Sequence, residues 1–235
     1  MHSGKFPIPA ETYLRDHFDM AEIQAKRRAV LAPLAVASLV LSLFPIVYLH
    51  VASAGQISPI SHTISDYIFV ANGTGLLAVT ALSLAAGSVV LLIALFGAGL
   101  PRRGPITVLV GLWAAGLTVA AVFPTDPTGT PTTMSGAVHR YAGAVMFVSL
   151  PLAGLLISRR FIPSTTVRRL SLASGITSFL FLLSHVPVVF PGDGAVLLGL
   201  AERILFAVLY GLLFALAAAL WRDTAPRRRT GEVTA

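Results

Sequence analysis

The sequence predicts an all-α, polytopic membrane protein: a bundle of six transmembrane helices with both termini in the cytoplasm. Three observations carry that prediction. Of the 235 residues, 55% are apolar and 11% charged, and the mean hydropathy is +0.81, a balance foreign to soluble globular chains. Several runs of 18 or more residues contain no charged side chain; each is long enough to cross a hydrocarbon core of about 30 Å as a helix, which satisfies its own backbone donors and acceptors. Lys and Arg collect on alternate connections between these runs, the pattern of cytoplasmic loops. The formal charge of +7 therefore reports topology, and no nucleic-acid partner is expected. With no cysteine in the chain, disulfides, thiolate nucleophiles and thiolate metal sites are excluded.

The spans follow in order. The first, about 29 to 51, comes after Lys26-Arg27-Arg28 and contains Pro33 and Pro45. The second, 74 to 99, ends against Arg102 and Arg103. The third, 105 to 123, places Gly111 four residues before Ala115 and Gly116 four before Ala120, small pairs that let a neighbouring helix approach closely. The fourth, 138 to 158, opens on His139 and Arg140, contains Pro151 and ends at Arg159 and Arg160. The fifth, 170 to 191, follows Arg168 and Arg169 and contains Pro187; the sixth, 197 to 221, holds Glu202 and Arg203 near its start and ends at Arg222. Each internal proline removes a backbone donor and bends its helix, which is common in such bundles and no mark of transport. Residues 29–123 and 138–221 show no internal repeat.

Charge then orients the bundle. Fifteen basic residues, Lys5 and Arg15 of the leader included, fall on one side, and Arg140 and Arg203 on the other. Residues 1–28 are thus read as a cytoplasmic N-terminal segment, 29–221 as the six-helix transmembrane domain and 222–235 as a basic cytoplasmic tail. Ala52-Ser53-Ala54 has the small-x-small form of a cleavage site. The apolar run before it is longer than a signal-peptide core, however, and the leader is long and acidic (Glu11, Asp16, Asp19, Glu22), so the first span is read as retained. In the leader, Leu14, Phe18 and Ala21 have the spacing of a short amphipathic helix on the inner surface; a loosely ordered tail is the alternative. Abundant Ala, Gly and Arg suggest a GC-rich bacterial genome, and the bacterial cytoplasmic membrane is the expected location.

Depth separates the polar residues. Counted from the basic ends at about 1.5 Å per residue, the inner half and centre of the spans hold no ionisable group. His50, His62, Asp66, Asp126, His139, Arg140, His185, Asp193, Glu202 and Arg203 all fall near the external face. Asp193, in Pro191-Gly192-Asp193-Gly194, is a solvated loop residue. Asp66 and Asp126 have three open roles: capping or turn formation, pairing with Arg140 or Arg203, and catalysis.

Ile64-Ser65-Asp66-Tyr67 before the second span, Phe123-Pro124-Thr125-Asp126 after the third, Gly136-Ala137-Val138-His139 opening the fourth and Gly199-Leu200-Ala201-Glu202-Arg203 opening the sixth resemble, as an ordered set, the domain of unknown function 998 family of prokaryotic membrane proteins. The likeness covers about residues 29 to 221. It implies a bundle of about six helices and no settled activity. More remotely, the Ile-Ser-Asp loop and the histidine opening the fourth span are similar to the damage-regulated autophagy modulator group, whose relatives include proteins linked to lipid-anchor remodelling; that resemblance implies a role among lipids.

Three functional readings stay open. In the first, Asp66, Asp126, His139, Arg140, Glu202 and Arg203 form a network beneath the external loops of a structural or lipid-binding protein, with Arg140, Glu202 and Arg203 as binding residues for lipid headgroups. Glu202 and Arg203 point about 100 degrees apart on a helix, so each is expected to seek another helix. In the second, the protein is an enzyme acting on a lipid or lipid-linked substrate at the outer leaflet; the catalytic candidates are His139, Asp126, Asp66 and His185. No metal site and no cofactor is expected, because no His-x-x-x-His or Glu-x-x-His pair fixes ligands. His185, just before Pro187, more often in such a setting satisfies a backbone carbonyl freed by the kink than ligates anything. The third reading, a facilitative small-molecule permease, suffers from a midplane that offers only Ser, Thr, Tyr and Trp. Partners are membrane lipids, including a lipid-like substrate; oligomeric state is not legible.

Overall fold

A computed structural model describes the backbone of residues 10–127, 129–185 and 197–224, and the side chains of 30–127, 129–185 and 197–222. Among the described residues there are six α-helices: α1 (Ala10–Ala52), α2 (Gly73–Gly97), α3 (Pro105–Val122), α4 (Met134–Arg160), α5 (Thr165–Leu183) and α6 (Leu198–Thr224). A short 3-10 turn, Ser65–Phe69, precedes α2. All six helices are long and apolar enough to span a membrane.

Three boundaries differ from the sequence reading, each for a local reason. Helix α1 begins at Ala10, so the described part of the leader is continuous with the first span and forms neither a separate helix nor a loose tail. From Ala10 to Ala32 the chain has no Gly or Pro and is rich in Ala, Glu, Gln, Lys and Arg, which carry low helix cost. Helix α4 starts four residues early because Thr133 caps it, its side chain accepting from the Gly136 amide at 3.1 Å. Helix α5 starts at Thr165 because Ser164 accepts from the Val167 amide at 3.3 Å; Arg168 and Arg169 thus belong to its first turns. Pro187, Asp193 and the last turns expected of the fifth span lie outside the described residues, as do Lys5 and Arg227 to Arg229.

Each helix packs on its sequence neighbours, and α1 packs on α6, so the six close into a ring; α6 also touches α2 and α4 across it. The stripe Leu205, Leu209, Leu212 and Leu216, spaced four, three and four, is fully buried and gives α6 its inward face. Large apolar residues also cover the outside, among them Leu41, Phe44, Ile93, Ile176 and Phe179, the surface a bilayer solvates.

Polar groups inside the bundle are bonded. Trp113 Nε1 of α3 donates to Ser88 Oγ of α2 at 2.8 Å, and Ser178 Oγ of α5 donates to the Phe147 carbonyl of α4 at 2.8 Å. Ser42 of α1 and the Tyr210 hydroxyl of α6 lie 2.8 Å apart. Gly116 acts as expected: a β-carbon there would lie 2.9 Å from the Ala142 carbonyl oxygen of α4. Gly111 and Ala115 do not, since both face outward and nothing lies within 4 Å of a β-carbon at 111; each is two residues, about 200° around the helix, from the buried face set by Trp113 and Leu117.

Candidate functional site at the polar face

Connections 53–72 and 123–133 emerge on one face of the bundle, together with the start of α6; those between α2 and α3 and between α4 and α5 emerge on the other, with Arg102, Arg103, Arg159 and Arg160. The first connection is shaped by its own residues. Asp66 Oδ2 accepts from the Thr63 amide at 2.7 Å and its hydroxyl at 2.9 Å, closing a tight turn of the kind a short acidic side chain makes with nearby backbone. Asp66 is buried in that role.

Helix α6 clasps this connection from below. Gly199 carries no side chain where a β-carbon would overlap the His62 carbonyl oxygen, so the first turn of α6 lies directly against the loop and the Leu200 amide donates to the Ile60 carbonyl at 3.0 Å. Glu202, one turn further, is buried and accepts from the Ile64 amide. Arg203 donates through Nη1 to the His62 carbonyl at 2.7 Å and to the Gly199 carbonyl at 2.9 Å, and through Nη2 to the Tyr67 hydroxyl at 3.0 Å. Its guanidinium carbon also stands 5.5 Å from the centre of the Tyr67 ring, a cation–π distance. The Tyr67 hydroxyl is shared with His50 Nδ1 at 2.8 Å.

This corrects the expectation that Glu202 and Arg203 would each seek another helix. Both grip the same loop, and the divergence of neighbouring helical positions is what permits it. One side chain meets an amide, the other a carbonyl two residues earlier, so the backbone dipoles of the loop supply partners of both signs.

A second cluster joins α3 to α4. Asp126 Oδ1 accepts from the Thr133 hydroxyl at 2.6 Å and Oδ2 from the Thr133 amide at 2.9 Å. Its carboxyl rests on Gly136, where a β-carbon would overlap it. The Thr133 hydroxyl first, then the Thr133 amide, with the positive charges of Arg140 and His139, hold the Asp126 carboxyl below the usual carboxylate range. His139 Nδ1 lies 2.8 Å from the Phe123 carbonyl and 3.1 Å from that of Ala120, so Nδ1 is placed to donate to these two oxygens. Arg140 is exposed and donates to the Thr132 hydroxyl at 3.4 Å. His185 sits just past α5 with Nδ1 2.9 Å from the Phe181 carbonyl and its ring edge-on to Phe181 at 4.6 Å, the carbonyl role open to it from sequence. The single network therefore resolves into two clusters: amides and hydroxyls meet the carboxylates, while carbonyl and hydroxyl oxygens meet the arginines.

Between the clusters a cleft of about 360 Å³ opens among α1, α2, α3, α4 and α6. Ser65, Thr74, His139, Glu202 and Arg203 line its polar end; Leu84, Met146 and Tyr210 lie at its deep end, and Ala and Leu side chains dominate the walls. From Thr74 to Leu84 is ten residues of α2, about 15 Å, or one leaflet of a hydrocarbon core about 30 Å thick. Of the candidates, His139, Glu202 and Arg203 reach this cleft. Asp66 and Asp126 hold its rim, and Arg140 and His185 are not among its lining residues. Glu202 has one oxygen on the Ile64 amide and its residue lines the cleft. Among the described residues, no three of His, Asp and Glu gather as a metal site would require.

Sequence reasoning missed Tyr67, His50 and Gly199 as parts of the site. Tyr67 and Gly199 stand inside the motifs beside Asp66 and Glu202, and a glycine in the first turn of a helix next to charged residues signals close backbone approach. Nothing in the sequence pairs His50 with Tyr67 across seventeen positions.

No curated protein and no solved structure matches the chain. Residues 35–219, which contain both clusters and the cleft, match the model of the family described as "Protein of unknown function (DUF998)", and the chain belongs to that family.

Proposed function

We propose that this multi-pass membrane protein binds a membrane lipid at its polar face, the apolar tail in the cleft and the polar end against Arg203, His139, Glu202 and Ser65. The observation that carries the reading is the cleft itself. Its volume falls within the range of small-molecule sites, about 300–1,000 Å³, its length is that of one leaflet, and its polar groups converge at one end. Arg203 has five N–H donors and spends three on the loop and α6, which leaves donors for a headgroup oxygen. With the arginine-bearing face in the cytoplasm, the lipid comes from the outer leaflet of a bacterial cytoplasmic membrane.

A second reading, chemistry on that lipid, is favoured by one observation: His139 and Glu202, an imidazole and a carboxyl group of the types used in general acid–base chemistry, line the same apolar cleft. The two readings separate in one experiment. Lipids extracted from the purified protein are compared with those from Ala81→Phe, which fills the cleft, and His139→Ala. Binding predicts a co-purifying lipid that Ala81→Phe loses. Equal lipid content in wild type and Ala81→Phe would sink both readings. If His139→Ala keeps the lipid and also restores the lipid profile of a deletion strain, the protein binds without catalysing.

A further inference from the structure

The opposite face carries a second, independent cleft. It measures about 220 Å³ and lies between the connection from α2 to α3 and the end of α4, where Arg103 and Arg160 converge on it from two different segments. Both side chains are exposed, and neither is bonded to another described residue. Leu156 and Phe161 form an apolar floor, and the Ile106 and Thr107 amides on its wall lie in the first turn of α3, which has no side-chain cap. The polar side chains lining the cleft are thus two full positive charges and Thr107, whose hydroxyl already donates to the Pro101 carbonyl at 3.1 Å. Every acidic side chain described, Asp66, Asp126 and Glu202, belongs to the other face, so nothing described neutralises the pair.

Two guanidinium groups a few residues outside the hydrocarbon core, above an apolar floor, are complementary to one kind of ligand at that depth. We propose that this cleft binds the phosphate of an anionic phospholipid from the leaflet at the arginine-bearing face, with Arg103 and Arg160 as its two cationic contacts and the acyl chains lying along α3 and α4. Planar guanidinium forks pair bidentately with phosphate oxygens, and basic pockets between transmembrane helices suit such headgroups. The site shares no residue with the cleft at the polar face, so either can fail without the other.

The test uses the full-length protein in nanodiscs of phosphatidylcholine with increasing phosphatidylglycerol, and native mass spectrometry to count retained lipids. Arg103→Gln and Arg160→Gln are compared with Arg222→Gln, an exposed arginine of the same face outside the cleft. Phosphatidylglycerol is expected to bind wild type and Arg222→Gln equally, about fivefold more weakly to each single variant and about 25-fold more weakly to the pair. Either single variant suffices if the double variant does not fold. An Arg222→Gln loss as large as that of Arg103→Gln would replace the site with diffuse surface charge and overturn the proposal. So would equal retention of phosphatidylcholine, or displacement of the lipid by millimolar inorganic phosphate.

Discussion

Replacing Gly199 by alanine should be expensive, and the structure says by how much. A β-carbon at 199 would overlap the His62 carbonyl oxygen and stand 2.9 Å from that of Pro59. Both neighbours are backbone, so the loop must withdraw by about an ångström to reach ordinary contact. That retreat stretches the Leu200–Ile60 bond from 3.0 Å and the Arg203–His62 bond from 2.7 Å to lengths at which neither holds. A neutral bond contributes about 1 kcal/mol and one to a charged group about 1.5–3 kcal/mol. The better helix propensity of alanine returns about 0.5–1 kcal/mol. The net loss is about 1.5–3.5 kcal/mol, and at about 2–4 °C per kcal/mol for a chain of this size the melting midpoint falls by roughly 3–14 °C. The assay is thermal unfolding of purified protein followed by size-exclusion chromatography, with Gly111→Ala as its counterpart. Position 111 is mid-helix and open, so the same change there should raise the midpoint slightly. A Gly199→Ala midpoint equal to or above that of Gly111→Ala would refute the clasp between α6 and the first loop.

Asp126→Asn should destabilise the protein at pH 7. The folded-state pKa of Asp126 is depressed, so its stabilisation is present above the ordinary carboxylate pKa and is lost as pH falls through the lower, folded value; melting curves of wild type and variant should converge there, and a constant offset down to that pH would show that the charge is irrelevant. Trp113→Phe removes the donor to Ser88 but leaves the Ser88 hydroxyl bonded to the Leu84 carbonyl at 2.8 Å; reversible unfolding should show a loss of about 0.5–1.5 kcal/mol, the range for hydrogen bonds between membrane helices, whereas a loss above about 3 kcal/mol would mean that the indole is held by packing.

The fold was legible because composition alone drives most of it. Apolar runs and the placement of Arg102, Arg103, Arg159 and Arg160 report burial in lipid and loop alternation directly, without knowledge of packing. The site was half legible. His139, Glu202 and Arg203 stand out because charge near a hydrocarbon boundary is costly, but their partners turned out to be backbone groups of the connecting loops, and a sequence does not show where a loop folds back. The same gap explains Asp126, whose partner Thr133 lies seven residues away across a turn. Gly111 misled for another reason: small-residue spacing marks a helix that can be approached closely, not the side from which the approach comes.

Helix α5 is the least apolar of the six spans, and it buries Ser171, Ser174 and Ser178. The first two hydroxyls donate to carbonyls of α5 itself, and only Ser178 reaches across to α4. Presented alone to the insertion machinery, this segment would be a marginal candidate for partitioning into lipid. Its entry therefore depends on company, and biogenesis has to keep α5 beside α4, already inserted, until α6 arrives to seal the far side.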